Sequence, residues 1–184
     1  MQNRSHTHCL VLTAMAAAVL CVLAPLSIPL PMTPVPLSLT NLILLFAVYL
    51  LPWKWAWASC LVYLLLGAAG LPVFSGFGGG LGKLAGPTGG YLIGFLLQVP
   101  ISGLFVERFR SRQLLCALGM ALGIAASYAL GTAWLAIQMN ISLGAALLAG
   151  VIPYLPGDAL KILAATLLGP VVSRLVRRAQ ESSR

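Results

Sequence analysis

Long apolar runs alternate along the chain with short basic clusters. Positions 5–53, 55–82, 84–106 and 113–157 contain no Asp, Glu, Lys or Arg. A helix that crosses a bilayer needs about 20 apolar residues, so the first run holds two. Pro25, Pro29, Pro31, Pro34 and Pro36 divide it, because proline lacks a backbone donor and interrupts a continuous helix. The pattern predicts spans over Cys9–Leu26, Leu39–Leu51, Trp55–Ala69, Tyr91–Arg108, Leu114–Ile137 and Pro156–Arg174. The second is short, which suits a tilted helix or one that extends into the next turn. A glycine-rich loop, Gly70–Gly90, joins the third span to the fourth. The last apolar stretch, Leu143–Leu175, is too long for one straight span. Pro153, Pro156 and Gly157 break it into a short outer segment, Leu143–Ile152, and the sixth span. Pro156 and Gly157 then open a helix, where a missing N–H costs least.

Composition turns this pattern into a class. Hydrophobic residues make up 60% of the 184 positions and charged residues 8%, with a mean hydropathy of +0.98. A soluble domain carries about 25% charged residues. This chain cannot cover a water-facing surface, but it can face lipid. The expected fold is an all-α integral membrane protein with six transmembrane helices, a single membrane-embedded domain over residues 1–184. Short basic loops orient such a protein. With the N-terminus inside, Arg4, Lys54, Arg108, Arg110, Arg112, Arg174, Arg177, Arg178 and Arg184 are all cytoplasmic, nine of the 11 basic residues. Lys83 falls in an outer loop and Lys161 within the sixth span. Both termini are then cytoplasmic, in a multi-pass protein of the bacterial cytoplasmic membrane. A separate span for the Leu143 segment would put the basic C-terminus outside. The N-terminal run continues into the proline-rich segment without a small-residue cleavage site, so it reads as a retained first helix and not a signal peptide.

The net charge of +8 changes less than its size suggests. The basic residues flank spans, where they meet anionic lipid headgroups. No aromatic residues interleave with them in a nucleic-acid-binding pattern, so the expected partner is the lipid bilayer and not nucleic acid. Cys9, Cys21, Cys60 and Cys116 lie in or beside apolar helices without CxxC spacing and read as small buried hydrophobes. His6 and His8 lack further ligands nearby, so no metal site is expected. With no histidine deep in the chain, neither Ser nor Cys has a base to activate it. Glu107 and Glu181 sit at the cytoplasmic edge and Asp158 near the opposite face, which leaves no catalytic carboxylate pair. The chain is not expected to be an enzyme, and no cofactor is implied.

The glycine-rich loop contains a GxGxxA match, Gly80 to Ala85. That motif binds a dinucleotide only between a strand and a helix, and here it lies between membrane spans. Gly82-Lys83 also fails the phosphate-loop pattern, since Phe77 and Leu84 occupy the required Gly and Ser/Thr places. The glycines allow tight turns or close packing, and they also allow backbone N–H groups to approach a ligand. Asp158 and Lys161 are the oppositely charged pair at membrane depth. Ionisable residues there are costly and mark functional sites by default. At i and i+3 they share a helix face, and Asp158 lies in a first turn, where the helix dipole favours an anion. The pair by itself fits a structural ion pair as readily as a ligand site.

Gly70-Leu71-Pro72-Val73-Phe74-Ser75-Gly76-Phe77, Gly78-Gly79-Gly80-Leu81-Gly82, Gly86-Pro87-Thr88-Gly89-Gly90-Tyr91-Leu92-Ile93-Gly94-Phe95, and Pro156-Gly157-Asp158 with Lys161 together resemble the BioY family. These are the biotin-specific S components of energy-coupling factor (ECF) transporters, and the resemblance covers nearly the whole chain. It implies six helices, a high-affinity biotin pocket near the outer face, and no nucleotide binding by the chain itself. It also implies a membrane T component and two cytoplasmic ATPases as partners. Biotin's ureido ring has two N–H donors and a carbonyl acceptor. Asp158 can accept from the former and Lys161 can donate to an oxygen. Phe74, Gly79, Gly80 and Tyr91 can wall the apolar bicycle. Lys83 or loop N–H groups can take the valerate carboxylate, and Thr40, Asn41 and Tyr154 lie near the outer face in this topology. S components resemble one another in an AxxxA surface on the first helix that meets the T component, and Ala14 and Ala18 fit it. Internal packing of these small residues is the alternative. The rival functions are an S component for another vitamin, a solitary facilitator, and a membrane-embedded enzyme, for which no nucleophile–base pair is present.

Overall fold

The computed structural model describes residues 6–28, 31 and 33–181. Arg4, Pro29, Ser182 and Arg184 lie outside the described residues, as do the side chains of Arg177 and Glu181. Helix α1 covers His6–Leu23 and ends where the proline-rich segment begins. A two-residue hairpin follows, β1 (Ser27–Ile28) against β2 (Leu37–Ser38), antiparallel with Ser27 opposite Ser38. Then come α2 (Thr40–Leu50), α3 (Trp53–Ala68), a five-residue α4 (Leu81–Ala85), α5 (Gly89–Arg108) and α6 (Gln113–Met139). The last apolar stretch breaks at Val151, between α7 (Leu143–Gly150) and a single 3₁₀ turn, Ile152–Tyr154. Helix α8 (Leu155–Glu181) carries Pro156 in its first turn and continues well beyond Arg174. The hairpin and α4 stand where the sequence predicted plain loop. Neither is long enough to show a hydrophobic period, and their geometry comes from tertiary contacts.

Four stretches are long and apolar enough to cross a membrane: His6–Leu23, Gly89–Arg108, Gln113–Met139 and Leu143–Val176. Thr40–Leu50 is apolar but shorter. The core is formed by Leu20, Leu44, Tyr49, Tyr63, Phe74, Val99 and Met120, all at 0–2% exposure. Leu10, Val11, Leu65, Leu104, Leu118 and Leu163 instead point outward. An apolar exterior of this extent suits lipid and would be an aggregation liability in water.

Helices α5 and α6 form the closest seam, and α2 packs on α8. The seam depends on missing side chains. A Cβ on Gly131 would lie 2.2 Å from the Tyr91 ring, and one on Gly94 would lie 2.6 Å from Ser127 Oγ. Glycine at these two points lets the helices approach and seats Tyr91 and Ser127 facing the cavity described below.

The two ends of the bundle differ in charge. At one end Glu107 Oε1 accepts from the Trp53 N–H at 2.5 Å, which supplies the first turn of α3 with an anion it otherwise lacks. Nearby, Arg110 donates to the Tyr49 carbonyl at 2.9 Å and to Ser173 Oγ. Its guanidinium thus bridges the last turn of α2 to α8. Lys54, Arg108, Arg110, Arg112 and Arg174 gather at this end. The β1–β2 hairpin, the start of α2, α4 and the start of α8 lie at the other.

Candidate functional site

A cavity of about 70 Å³ opens at the hairpin end, between α2, α5, α6 and α8. At about 10–15 Å³ per water centre it exceeds a single-water void several-fold. Apolar walls come from Leu92, Phe95 and Ile124. The polar lining converges on Asp158, which is 3% exposed. Its Oδ1 accepts from Lys161 Nζ at 2.9 Å. Its Oδ2 accepts from Asn41 Nδ2 at 3.2 Å and from the Tyr128 hydroxyl. Lys161 Nζ also donates to the Ser38 carbonyl at 2.9 Å. A lone carboxylate at this depth would cost several kcal/mol or more. Three donors from three helices make it tenable, and together they tie α2, α6 and α8 at one point.

The network is polar but incomplete. Asn41 must turn its amide nitrogen toward the carboxylate, which leaves Oδ1 buried without a hydrogen-bond partner among the described residues. Lys161 has three donors, of which two are placed. A carboxylate offers about four acceptor sites, and three are occupied. The site therefore retains acceptors at Asn41 and Asp158 and a donor at Lys161, all on residues that line one cavity.

Of the residues singled out in the sequence, Asn41, Lys83, Tyr91, Tyr154, Asp158 and Lys161 line this cavity. Tyr154 comes in from the 3₁₀ turn, where its hydroxyl donates to the Val35 carbonyl and pairs with Thr33 Oγ1 at 2.5 Å. It thereby joins the segment before α2 to the start of α8. Tyr91 stands edge-on to Tyr128, ring centroids 6.3 Å apart.

Phe74, Gly79 and Gly80 do not line this cavity. The Phe74 ring is fully buried against Tyr63, centroids 5.5 Å apart, and fills the core beneath the loop. Gly79 runs against the backbone of the same loop, with the Leu71 carbonyl 2.3 Å from where a Cβ would stand. Gly80, at φ 84°, makes the left-handed turn into α4. Thr40 is buried and accepts from Ser38 Oγ, also off the wall. Ala14 and Ala18 are exposed on α1, so they are not internal packing residues.

The sequence reading missed Tyr128, Ser127 and Ser38. The available signal was Ser127-Tyr128 itself, a polar pair inside an otherwise apolar run. Among the described residues no cluster of three or more His, Cys, Asp or Glu could hold a metal ion, and all four cysteines are free.

Comparison with known proteins places this geometry. The family model described as "BioY family" matches residues 1–178. A biotin transporter BioY of Thermotoga maritima is 37% identical over 129 residues, 70% of this chain and 75% of its own. One of Rhizobium etli is 35% identical over 178 residues, 90% and 93% of the two chains. The solved structure of an S-component for biotin from an ECF-type ABC transporter superposes with a TM-score of 0.85 at 28% identity, covering 95% of each chain. On the family match along nearly its full length, and on relatives of this extent, the chain belongs to the BioY family.

Proposed function

We propose that the protein is the substrate-binding S component of an ECF-type transporter and takes biotin up across the cytoplasmic membrane. The likeness to a solved S-component for biotin over 95% of the chain carries this reading. The protein is a transporter component and not an enzyme. The free valences of the cavity suit biotin's ureido ring. Two ring N–H groups find acceptors in Asn41 Oδ1 and the remaining lone pair of Asp158, and the ring carbonyl finds the third proton of Lys161. Tyr91, Phe95 and Tyr128 flank the apolar bicycle, and Lys83, on the same cavity wall, takes the valerate carboxylate.

The whole chain acts as one membrane-embedded domain with six crossings, the four long apolar stretches joined by α2 and α3. At about 1.5 Å per residue, α2 is roughly 16 Å long, so the bilayer is crossed there by the helix together with the hairpin at its outer end. The basic end faces the cytoplasm, as the positive-inside rule requires, and the cavity opens outward. A T component and two ATPases supply the energy. The exposed Ala14–Ala18 face of α1 is where the T component docks, since small residues four apart permit close helix contact.

Ligand analysis tests the reading. Protein purified in detergent from biotin-supplemented cells should release biotin, chemically unaltered, on denaturation and mass spectrometry. Release of a different vitamin would reassign the substrate, and an altered ligand would reopen an enzymatic role. Biotin accumulation in cells without any T component would show that the chain works alone.

A further inference from the structure

The glycine-rich loop delivers one charged side chain to the cavity, Lys83 of α4. Five residues cannot sustain a helix unaided, and α4 is held from outside at both ends. At its start the Gly80 N–H donates to the Gly67 carbonyl at 2.7 Å. At its end the Gly86 carbonyl accepts from the Gly89 N–H at 3.0 Å, and α6 supplies further donors to the Ala85 and Gly86 carbonyls. Gln138 Nε2 donates to the Ala85 carbonyl at 2.6 Å, and Trp134 Nε1 to the Gly86 carbonyl at 3.0 Å. The Lys83 stem lies across Gly78, where a Cβ would stand 3.2 Å from its Cδ and Cε. The side chain's path is thus set by the loop beneath it and by two α6 side chains behind it.

Charge gives that path a purpose. The ionisable acid and bases on the cavity wall are Asp158, Lys161 and Lys83. Asp158 and Lys161 neutralise each other at 2.9 Å. Lys83 has no hydrogen-bond or ion-pair partner among the described residues. The site as built carries one uncompensated positive charge, on the half-buried Lys83, where a ligand's flexible anionic tail would find a partner.

We propose that Trp134 and Gln138 position α4 so that Lys83 completes the cavity's charge balance, making Lys83 the residue that selects an anionic-tailed ligand over a neutral-tailed one. This rests on the biotin reading, with the ureido ring inside and the carboxylate at Lys83. Trp134 and Gln138 are positioning residues and touch no ligand.

Calorimetric titration of the full-length, detergent-purified protein with biotin and with biotinamide, its uncharged amide, tests the assignment. The wild type should prefer biotin. Lys83→Met should lose roughly ten- to a hundredfold in biotin affinity, as for a hydrogen bond to a charged group, with little change for biotinamide. Lys83→Arg should keep the preference. Trp134→Phe and Gln138→Met remove the donors while keeping an aromatic ring and a side chain of similar length. Together they should reduce the preference for biotin by roughly three- to tenfold, and they should add little once Lys83 is Met. General loosening of the fold would instead weaken both ligands alike. Equal losses for both ligands in Lys83→Met, or α6 effects that persist in full on the Lys83→Met background, would overturn the proposal and leave the biotin reading standing. A wild type that binds neither ligand would overturn the biotin reading and the proposal with it.

Discussion

Asp158→Asn probes the most connected group of the cavity. In the native site Oδ1 faces the Lys161 ammonium at 2.9 Å, while Oδ2 takes Asn41 Nδ2 at 3.2 Å and the Tyr128 hydroxyl. A carboxamide keeps one of these two oxygens. If the oxygen stays with Lys161, the new NH₂ meets two groups that currently donate. Asn41 must then turn over to accept, and its free Oδ1 is consumed. If the amide faces the other way, its NH₂ meets an ammonium. Either arrangement removes acceptors that a ureido ring needs. Each lost hydrogen bond to a charged group is worth about 1.5–3 kcal/mol, and 1.4 kcal/mol is about tenfold in affinity. Biotin affinity should fall roughly ten- to a few hundred-fold on that arithmetic. Stability falls as well, because breaking a buried pair from one side costs about 3–5 kcal/mol. Lys161 retains the Ser38 carbonyl and is 13% exposed, which favours the lower end. Lys161→Met should also weaken binding, and the double variant should cost less stability than the two singles summed, by about 0.5–3 kcal/mol. Biotin titration of monodisperse variants, with thermal unfolding measured alongside, reads both quantities. Variants that unfold early yet bind biotin at wild-type affinity once folded would refute the assignment and leave the pair a purely structural tie between α2, α6 and α8.

Two further predictions concern the surfaces away from the cavity. Ala14→Trp or Ala18→Trp should abolish biotin uptake in cells that carry the T component and ATPases while the purified variant binds biotin normally; uptake at the wild-type rate would place the docking face elsewhere. A cysteine at Gly82, where a side chain meets open space, should react with an impermeant maleimide in intact cells, and one at Ser111 only after permeabilisation. Outside labelling at Ser111 would rule out the six-span arrangement.

The helices were legible wherever a physical boundary coincided with a chemical one. Helices α5 and α6 follow the predicted Tyr91–Arg108 and Leu114–Ile137 to within two residues, because charged residues close the apolar runs at the basic end of the bundle. Helix α8 overran its predicted end, Arg174, and reaches Glu181. The prediction ended where apolarity ends, whereas a helix satisfies its own backbone and can continue once it leaves the bilayer. It also carries Pro170 within its length.

The site was legible only where its residues are close in sequence. Asp158 and Lys161 lie one turn apart, so their pairing follows from helix geometry. Asn41 and Tyr154 came from placing ends of spans on the same side of the membrane, which says which residues are level but not which touch. Tyr128 joins Asp158 across 30 positions. The Ser127-Tyr128 pair marks a polar point in the span but does not say which distant group its hydroxyl meets. The glycine-rich loop was ambiguous for a different reason. Abundant glycine reports what a backbone must do, and here that is a left-handed turn at Gly80 and a close backbone approach at Gly79. Such geometry can expose N–H groups to a ligand or can equally fold a loop onto itself, and glycine content alone does not separate the two. Of the loop residues that line the cavity, Ser75, Lys83 and Thr88, only Lys83 carries a charge, so the neutral-tailed ligand and not a glycine substitution is the probe that isolates its contribution.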